Sequence, residues 1–388
     1  MTTTQSLRGR AALMIGHCAG MVDLVALPVW VGTLMSVYHF DPQQAGLLAT
    51  LFLAGAVVAS LFLAPFFLVL PGRAVATAGF SVAAAGFAMA STTQQFAMLA
   101  LLHAASGIAA GAALSVTHGT IARSHNPHRM FALVGTALGV FAIVFLGGTP
   151  VLVARLGGPV LFQVFAGVMA LGALAAAFAF PVPDEVAGAA GASRPAAARL
   201  PAPVWWGILG LAAMGLVQSM TFSFLERVGS DRGFGLQAVT GVLIALGMVN
   251  LFPAALAAVL EKRWAASSVL RGGPAVQALL VVAIMSSPVF APYALAAAPF
   301  AAVMIFTHTF AFGVLARLDP SGRALAATPA MLMFGAAIGP ILGGTLVKAW
   351  GYGSLGLAAL VIDALAIYAF ARVHRKPPGT PVSARGLA

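Results

Sequence analysis

The sequence has few charged residues and only one cysteine. Charged side chains make up 7% of its 388 residues, whereas soluble domains contain about 25%. Hydrophobic residues make up 61% of the chain, and a surface built from them can face only lipid. Cys18 is the single cysteine, so no intramolecular disulfide can form. This composition excludes a set of soluble domains and indicates one integral membrane domain.

The net charge of +11 is not distributed as in a nucleic-acid-binding protein. Such proteins place Lys and Arg in clusters with aromatic residues, and no run of that kind occurs here. The histidines are isolated and lack the close spacing of motifs such as H-E-x-x-H. The sequence therefore predicts no nucleic-acid partner, no metal site and no cofactor. Since it also lacks a catalytic motif, we do not expect an enzyme.

Twelve apolar stretches are long enough to cross a bilayer, which takes about 20 residues in a helix. The first follows a short basic N-terminus, and its length of roughly 25 residues indicates a retained span rather than a signal peptide. The predicted spans are 11–36, 44–68, 74–92, 96–122, 129–153, 158–180, 203–226, 235–259, 267–286, 290–316, 324–347 and 352–371.

An even number of spans places both chain ends on the same side of the membrane. If that side is cytoplasmic, 16 of the 20 Lys and Arg residues fall in cytoplasmic segments, as the positive-inside rule requires. The exceptions are Arg155, Arg227, Arg232 and Lys348. We therefore predict a multi-pass protein with both termini in the cytoplasm. The abundance of Ala and Gly suggests a bacterial gene of high GC content, so we expect the membrane to be a bacterial inner membrane.

A segment rich in Pro, Ala and Gly separates the sixth span from the seventh. We interpret it, residues 181–203, as a flexible cytoplasmic linker. It divides the chain into an N-terminal six-helix bundle (1–180) and a C-terminal six-helix bundle (204–372). A cytoplasmic tail at 373–388 completes the predicted organisation.

The two halves carry a related loop, which indicates duplication. Arg123 and Arg129 follow span four, and Arg317 and Arg323 follow span ten at a displacement of 194 residues. Parallel repeats about an axis along the membrane normal are a known transporter architecture.

Short motifs allow comparison with a known family. Residues 99–111 in span four read LALLHAASGIAAG, residues 70–73 read LPGR, and residues 335–344 in span eleven read GAAIGPILGG. With the span count, the halves and the central loop, the chain resembles the major facilitator superfamily over its whole length. His103 stands where the family's span-four motif has arginine, and the loop motif lacks its aspartate. The glycine-proline motif, typical of span five in drug–proton antiporters, lies here in span eleven.

The resemblance implies an all-α membrane protein with twelve helices in two pseudo-symmetric six-helix bundles. It also implies a secondary transporter whose spans one, four, seven and ten line a central cavity. The intramembrane histidines fall in three of these spans: His17, His103, His118 and His308. Asp23 lies near the middle of span one.

We predict Asp23 as the principal proton-coupling group, with His103 or His17 as its partner. Ionisable groups are costly in a bilayer and are therefore candidates for function. Carboxyl groups removed from water and histidines can each exchange protons near neutral pH. The alternative for each side chain is a buried group with a purely structural hydrogen bond.

Further polar and aromatic residues are candidates for contact with a solute: Gln218, His308, Asn250 and Trp30. The cavity spans contain no Lys or Arg at depth, which favours a neutral, zwitterionic or cationic solute over an anion. Asp363 lies midway along span twelve, which the fold makes peripheral, and the sequence offers no explanation for it.

Glycines recur every four residues on two spans. Gly335, Gly339 and Gly343 share one face of span eleven, and Gly107 and Gly111 share one face of span four. Small residues at this spacing let helix backbones approach each other in lipid, so we predict that these glycines serve helix packing.

The sequence therefore predicts a transporter of a small organic solute that works by alternating access, is coupled to protons and is a monomer in the lipid bilayer. Two alternatives stay open. One is an uncoupled facilitator of the same fold, and the other is a non-transporting membrane receptor or assembly factor.

Overall fold

The computed structural model of the chain describes residues 2–63, 66–67, 69–184, 200–319 and 323–373. Within these ranges the fold is helical, with one isolated bridge between Thr3 and Val182. The helices of the N-terminal half are α1 (Leu7–Gly20), α2 (Val22–Ser36), α3 (Pro42–Leu63), α4 (Gly72–Ala90), α5 (Phe96–Ala122), α6 (Pro127–Leu156) and α7 (Pro159–Ala179). Those of the C-terminal half are α8 (Ala202–Asp231), α9 (Leu236–Val249), α10 (Pro253–Leu260), α11 (Ala266–Ser286), α12 (Phe290–Leu318), α13 (Arg323–Trp350) and α14 (Gly353–Val373).

These helices form twelve membrane-length spans in the described chain, which confirms the predicted span count and the all-α fold. Span one consists of α1 and α2, and span eight consists of α9 and α10. Most predicted boundaries lie within four residues of the helix ends. Two predictions were further off, because span two ends at Leu63 rather than 68 and span seven continues to Asp231 rather than 226.

Both composite spans are interrupted near their middle. In span one, Met21 leaves the helical region with φ −107° and ψ 12°, and Pro28 lies inside α2, in its second turn. Pro28 has no N–H to donate to the carbonyl of Leu24, which weakens the helix on that side. In span eight, Asn250 caps α9 and Pro253 starts α10. Broken spans expose backbone groups that must be satisfied inside the protein, so they mark its polar regions.

Close helix contacts inside each half run through glycine. A Cβ at Gly107 would lie 2.1 Å from the carbonyl oxygen of Phe52, so α5 packs directly on the backbone of α3. A Cβ at Gly335 would lie 2.1 Å from the carbonyl oxygen of Ala212, so α13 packs on α8 in the same way. Gly111 and Gly339 lie similarly close to backbone atoms of the same neighbours, whereas a Cβ at Gly343 would first meet the Phe224 side chain of α8, at 2.9 Å. Four of the five predicted packing glycines therefore lie directly against the backbone of a neighbouring helix.

Since successive spans alternate in direction, Leu7 and Val373 lie at the same end of the bundle, which we call the terminal face. The loops at 37–41 and 351–352 lie at the other end, the opposite face. The two halves touch through α2 with α8, α3 with α13 and α6 with α9.

The start of the predicted linker is held at the terminal face. The Val182 N–H donates to the carbonyl of Thr2 and the Asp184 N–H donates to the carbonyl of Arg123. The Asp184 carboxylate accepts hydrogen bonds from the Thr4 hydroxyl and the His125 backbone N–H. Residues 181–184 thus join the N-terminus to the loop between spans four and five. Most of the predicted linker and tail lies outside the described residues.

Candidate functional site

Asp23 lies in the first turn of α2, immediately after the interruption of span one. Its side chain is fully buried, and its Oδ1 accepts a hydrogen bond of 2.9 Å from the Leu24 N–H. The N-terminus of a helix favours negative charge, so the interruption creates a place for a carboxylate. Its Oδ2 has no hydrogen-bond partner among the described residues. One oxygen of this carboxyl group is therefore free to bind a proton or a ligand.

His17 contacts His118 rather than its predicted partner Asp23. His17 Nδ1 and His118 Nε2 are 2.9 Å apart, which joins α1 to α5. Only one of the two nitrogens can carry the shared hydrogen, so one ring donates and the other accepts. A second proton at this contact would replace the hydrogen bond with repulsion between two donors.

His103 lies in an aromatic cluster inside the N-terminal half, packed against Trp30, Phe87 and Phe162. The Trp30 indole N–H donates to His103 Nε2 at 3.3 Å, and His103 Nδ1 lies 2.6 Å from the carbonyl oxygen of Leu99. Both ring nitrogens are therefore satisfied by a neutral ring that carries its hydrogen on Nδ1. His103 and Trp30 are both fully buried. This geometry favours a structural role for the pair in the state described.

The candidates in the C-terminal half do not form one cluster. Gln218 accepts a hydrogen bond of 3.3 Å from Gln277 of α11, which is span nine. His308 packs on Phe312 of its own helix, with ring centroids 4.9 Å apart. Asn250 lies at the interruption of span eight, where its Oδ1 is buried without a hydrogen-bond partner in the described chain. Of these side chains, Asn250 has the most unused hydrogen-bonding capacity.

Glu226 is a candidate that sequence reasoning missed. Span seven was predicted to end at this residue, but α8 continues to Asp231 and carries Glu226 into the contact with α2. A Cβ at Gly32 would lie 1.9 Å from Glu226 Oε2, so the carboxyl group rests on the backbone of span one. Its Oε1 accepts a hydrogen bond of 2.6 Å from Ser230. A second carboxyl group therefore lies between the halves.

Further contacts seal the two halves together near the opposite face. Gln43 donates to Thr345 at 3.3 Å, and the Ile341 N–H donates to the Thr50 hydroxyl at 3.1 Å. Contacts of Gly139 with Leu251 and of Gly147 with Ile244 extend this seam to the middle of the bundle.

An ion pair between Lys348 and Asp41 completes the seal, with Nζ and Oδ2 2.9 Å apart. Slight burial raises the pKa of the Asp41 carboxyl group, but hydrogen bonds from the Gln44 backbone and from Lys348 outweigh it, and the pKa lies below its ordinary value. Asp41 is therefore ionised at neutral pH. The pair is lost only when the pH falls through this lowered pKa.

Asp363 of α14 is fully buried. Neither of its oxygens has a hydrogen-bond partner among the described residues.

The described part of the chain brings no three His, Cys, Asp or Glu side chains together in a way that would hold a metal ion.

Twelve membrane-length helices in two halves, sealed at one face and with the Glu226 carboxyl group at their contact, define a polytopic membrane protein. The sequence model described as the Major Facilitator Superfamily matches residues 12–319. The chain belongs to this family, as its motifs and span count predicted.

Solved structures show the same fold. A bacterial homologue of the human lysosomal transporter Spinster, in an inward-facing and unoccupied conformation, superposes with a TM-score of 0.72 at 15% identity, covering 96% of this chain and 100% of that one. The nucleoside transporter NupG superposes with a TM-score of 0.70 at 14% identity, covering 96% and 99%. No curated protein is similar enough in sequence to match the chain.

Proposed function

We propose that the protein is a secondary active transporter that moves a small organic solute by alternating access, coupled to protons. The terminal face, which carries most of the basic residues, is cytoplasmic, and the protein lies in the inner membrane of a bacterium. The seal at the opposite face then corresponds to an inward-facing state. The similarity to the inward-facing Spinster homologue supports this assignment.

The observation that carries the proposal is the setting of Asp23. An ionised carboxylate without a cation is costly in a membrane interior, and this buried group has one free oxygen. The charge is tolerable when water or a cationic solute reaches the interruption of span one. Asp23 therefore binds a proton while the interruption of span one is closed to water. It releases the proton when water or a cationic solute reaches that interruption. Because α2 touches the C-terminal half at α8, this change of charge is linked to the contact between the halves.

Glu226 contributes to the same exchange from the other side of the contact. In the sealed state its carboxyl group rests against Gly32. Separation of α2 from α8 exposes the group to water on the opposite face and favours its ionised form. A proton taken up from that side therefore promotes closure.

The solute is neutral, zwitterionic or cationic in this proposal. The polar side chains with spare capacity are carboxyl and amide groups, chiefly Asp23 and Asn250. Both lie at interruptions of composite spans, where free backbone groups add donors and acceptors. An anion would find no fixed cation at this depth.

The proposal is tested with Asp23→Asn in proteoliposomes. A ligand thermal-shift screen on the purified protein first identifies a solute, and its flux is then measured with and without an imposed pH gradient. We expect the variant to lose proton-driven accumulation while it keeps exchange of solute down its own gradient. Asp363→Asn is the matched control, because it replaces a buried carboxyl group on the peripheral span twelve and is expected to leave coupling intact.

Other outcomes would overturn parts of the proposal. Proton-driven accumulation that survives Asp23→Asn would remove Asp23 from the mechanism. Flux that ignores the pH gradient in the unmodified protein would support the uncoupled facilitator. If solutes bind but are never translocated, the receptor or assembly-factor alternative gains support.

A further inference from the structure

A deep groove opens on the flank of the C-terminal half, away from the contact between the halves. It lies between α10 and α11 and is floored by α12, with a volume of about 700 Å³. Its walls are mainly apolar and include Phe252, Leu256, Val276, Val303 and Phe306. The groove begins at the interruption of span eight, where the chain leaves α9 and re-enters the helix at Pro253.

The side chains at the rim show that the groove faces lipid rather than the core. Phe252 is 66% exposed, Leu256 is 51% exposed and Val276 is 45% exposed. Large apolar side chains with this exposure on membrane-length helices contact hydrocarbon. Gly272 lies in the wall of α11, and a Cβ placed there meets no atom within 4 Å. The groove is therefore open towards the lipid and has mainly apolar walls, which suits a hydrocarbon chain.

The end of the groove at the terminal face is cationic. Arg263 and Trp264 line it from the turn between α10 and α11, and Lys262 is exposed in the same turn. Glu261 is the acidic neighbour, and Arg263 forms no salt bridge with any described residue. Trp264 packs edge-on against Phe306, with ring centroids 5.8 Å apart, which places the indole at the boundary between the groove and the polar turn. Tryptophan and basic residues at this depth are typical of the headgroup region of a membrane.

We propose that this groove is a binding site for an anionic membrane phospholipid of the leaflet at the terminal face. One acyl chain lies along Phe252, Leu256 and Phe306, and the phosphate pairs with Arg263. Basic pockets between transmembrane helices are a recognised setting for anionic lipid headgroups. The apolar walls suit an acyl chain, and the Arg263 guanidinium group, which has no salt bridge with any described residue, suits an anionic headgroup. A phospholipid with an anionic headgroup carries both parts in one molecule. The site is independent of the coupling groups Asp23 and Glu226.

The test uses native mass spectrometry of the purified full-length protein with added lipid. Phosphatidylglycerol and phosphatidylcholine with identical chains are titrated against the unmodified protein, Gly272→Phe, Arg263→Gln and Gly241→Phe. Gly241 is the matched control, because it is also an exposed helical glycine whose Cβ would meet no atom within 4 Å.

We expect the unmodified protein and Gly241→Phe to bind one phosphatidylglycerol in preference to phosphatidylcholine. Gly272→Phe fills the slot and is expected to lose this bound lipid. Arg263→Gln is expected to keep a chain in the groove and to lose about fivefold in preference for phosphatidylglycerol, as removal of one basic residue near a membrane surface implies. Equal binding of the two lipids by the unmodified protein, or equal binding by the two Phe variants, would overturn the site.

Two further measurements guard against misfolding and a different occupant. If Gly272→Phe does not fold, a phosphatidylglycerol with a photoreactive acyl chain is cross-linked to the unmodified protein in nanodiscs. Labelling is expected on α10, α11 and α12, and labelling spread evenly over all spans contradicts the proposal. Loss of solute flux in Gly272→Phe with unchanged lipid binding would instead show that the groove is a path for the solute.

Discussion

At the scale of single residues, the contact between Trp30 and His103 determines what His103 can do. A histidine whose two nitrogens are both used in its neutral form gains a proton only by losing one hydrogen bond. Trp30 supplies one of these bonds from α2, and the Leu99 carbonyl supplies the other from within α5. We therefore infer that this pair stabilises the N-terminal half, and that it leaves proton exchange to Asp23.

Trp30→Phe tests this inference, because it removes the indole N–H and leaves His103 Nε2 buried without a donor. A buried polar group that loses its partner costs about 1–3 kcal/mol. We expect a clear drop in the thermal unfolding temperature in detergent, with the pH dependence of transport unchanged. Trp205→Phe is the control, since Trp205 is 53% exposed on α8 and its replacement should have little effect. An altered pH dependence in Trp30→Phe would return His103 to the coupling mechanism.

The sequence identified the buried polar residues but not their partners. An Asp or His within an apolar run is conspicuous, because lipid tolerates few such groups. Which groups meet depends on the rotation and depth of each helix. His17 and His118 are 101 positions apart and meet through the packing of α1 on α5. No pattern local to either helix indicates that contact.

At the scale of helices, close packing through glycine accounts for how the spans associate. Hydrophobicity does not drive helices together inside lipid, so close van der Waals contact has to do so. At Gly107 the neighbouring atom is a backbone carbonyl oxygen of α3 at 2.1 Å from the position of a Cβ. Backbone cannot move aside as a flexible side chain would, so α5 and α3 would have to separate.

Gly107→Ala is therefore expected to destabilise the N-terminal half, by about 1–3 kcal/mol, the usual cost of overpacking. Thermal unfolding in detergent measures the effect. Gly135→Ala is the matched control, because Gly135 lies in α6 and a Cβ there has no neighbour within 4 Å. That change should be neutral or slightly stabilising, since Ala has the better helix propensity. Equal melting temperatures for the two variants would show that the α3–α5 contact adapts to a methyl group.

The number of spans could be predicted from the length of the apolar stretches. The interruption of span one and the end of span seven could not. Pro253 is a visible breaker, whereas nothing in the sequence sets Met21 apart as the interruption of span one. Span seven seemed to end at the first of several charges. Instead Arg227 pairs with Asp231 one turn later at 2.7 Å, and Tyr352 donates to Asp231 at 2.6 Å. The ion pair and the hydrogen bond allow α8 to continue past Glu226. The donor of the hydrogen bond, Tyr352, lies in a loop that is distant in sequence.

At the scale of the whole molecule, the contacts between the two halves at the opposite face hold that face closed. The ion pair between Asp41 and Lys348 contributes little, because both side chains are more than a third exposed, at 35% and 49%, and such pairs are worth at most about 1 kcal/mol. Backbone contact between the halves weighs more. A Cβ at Gly46 would lie 2.1 Å from the carbonyl oxygen of Pro340, and one at Gly344 would lie 2.1 Å from that of Pro42.

Gly46→Ala separates closure of the protein from stability of its halves. The atoms nearest to the added methyl group all belong to the C-terminal half, so the change penalises the sealed state and leaves the interior of each half intact. We expect the equilibrium to shift towards opening at the opposite face, by roughly the 1–3 kcal/mol of an overpacked contact. Spin labels at Thr92→Cys and Ser286→Cys, in a Cys18→Ser background, report the distance between the halves at that face.

The expected result is a longer distance in Gly46→Ala with an unfolding temperature close to that of the parent. Gly107→Ala provides the opposite pattern, because its contact lies within one half and should lower stability without changing the distance. A protein whose halves adjust independently of this seam would show the same distance distribution in both variants. Such a result would mean that the contact between α3 and α13 does not hold the opposite face closed, and that Glu226 against Gly32 bears more of the closure.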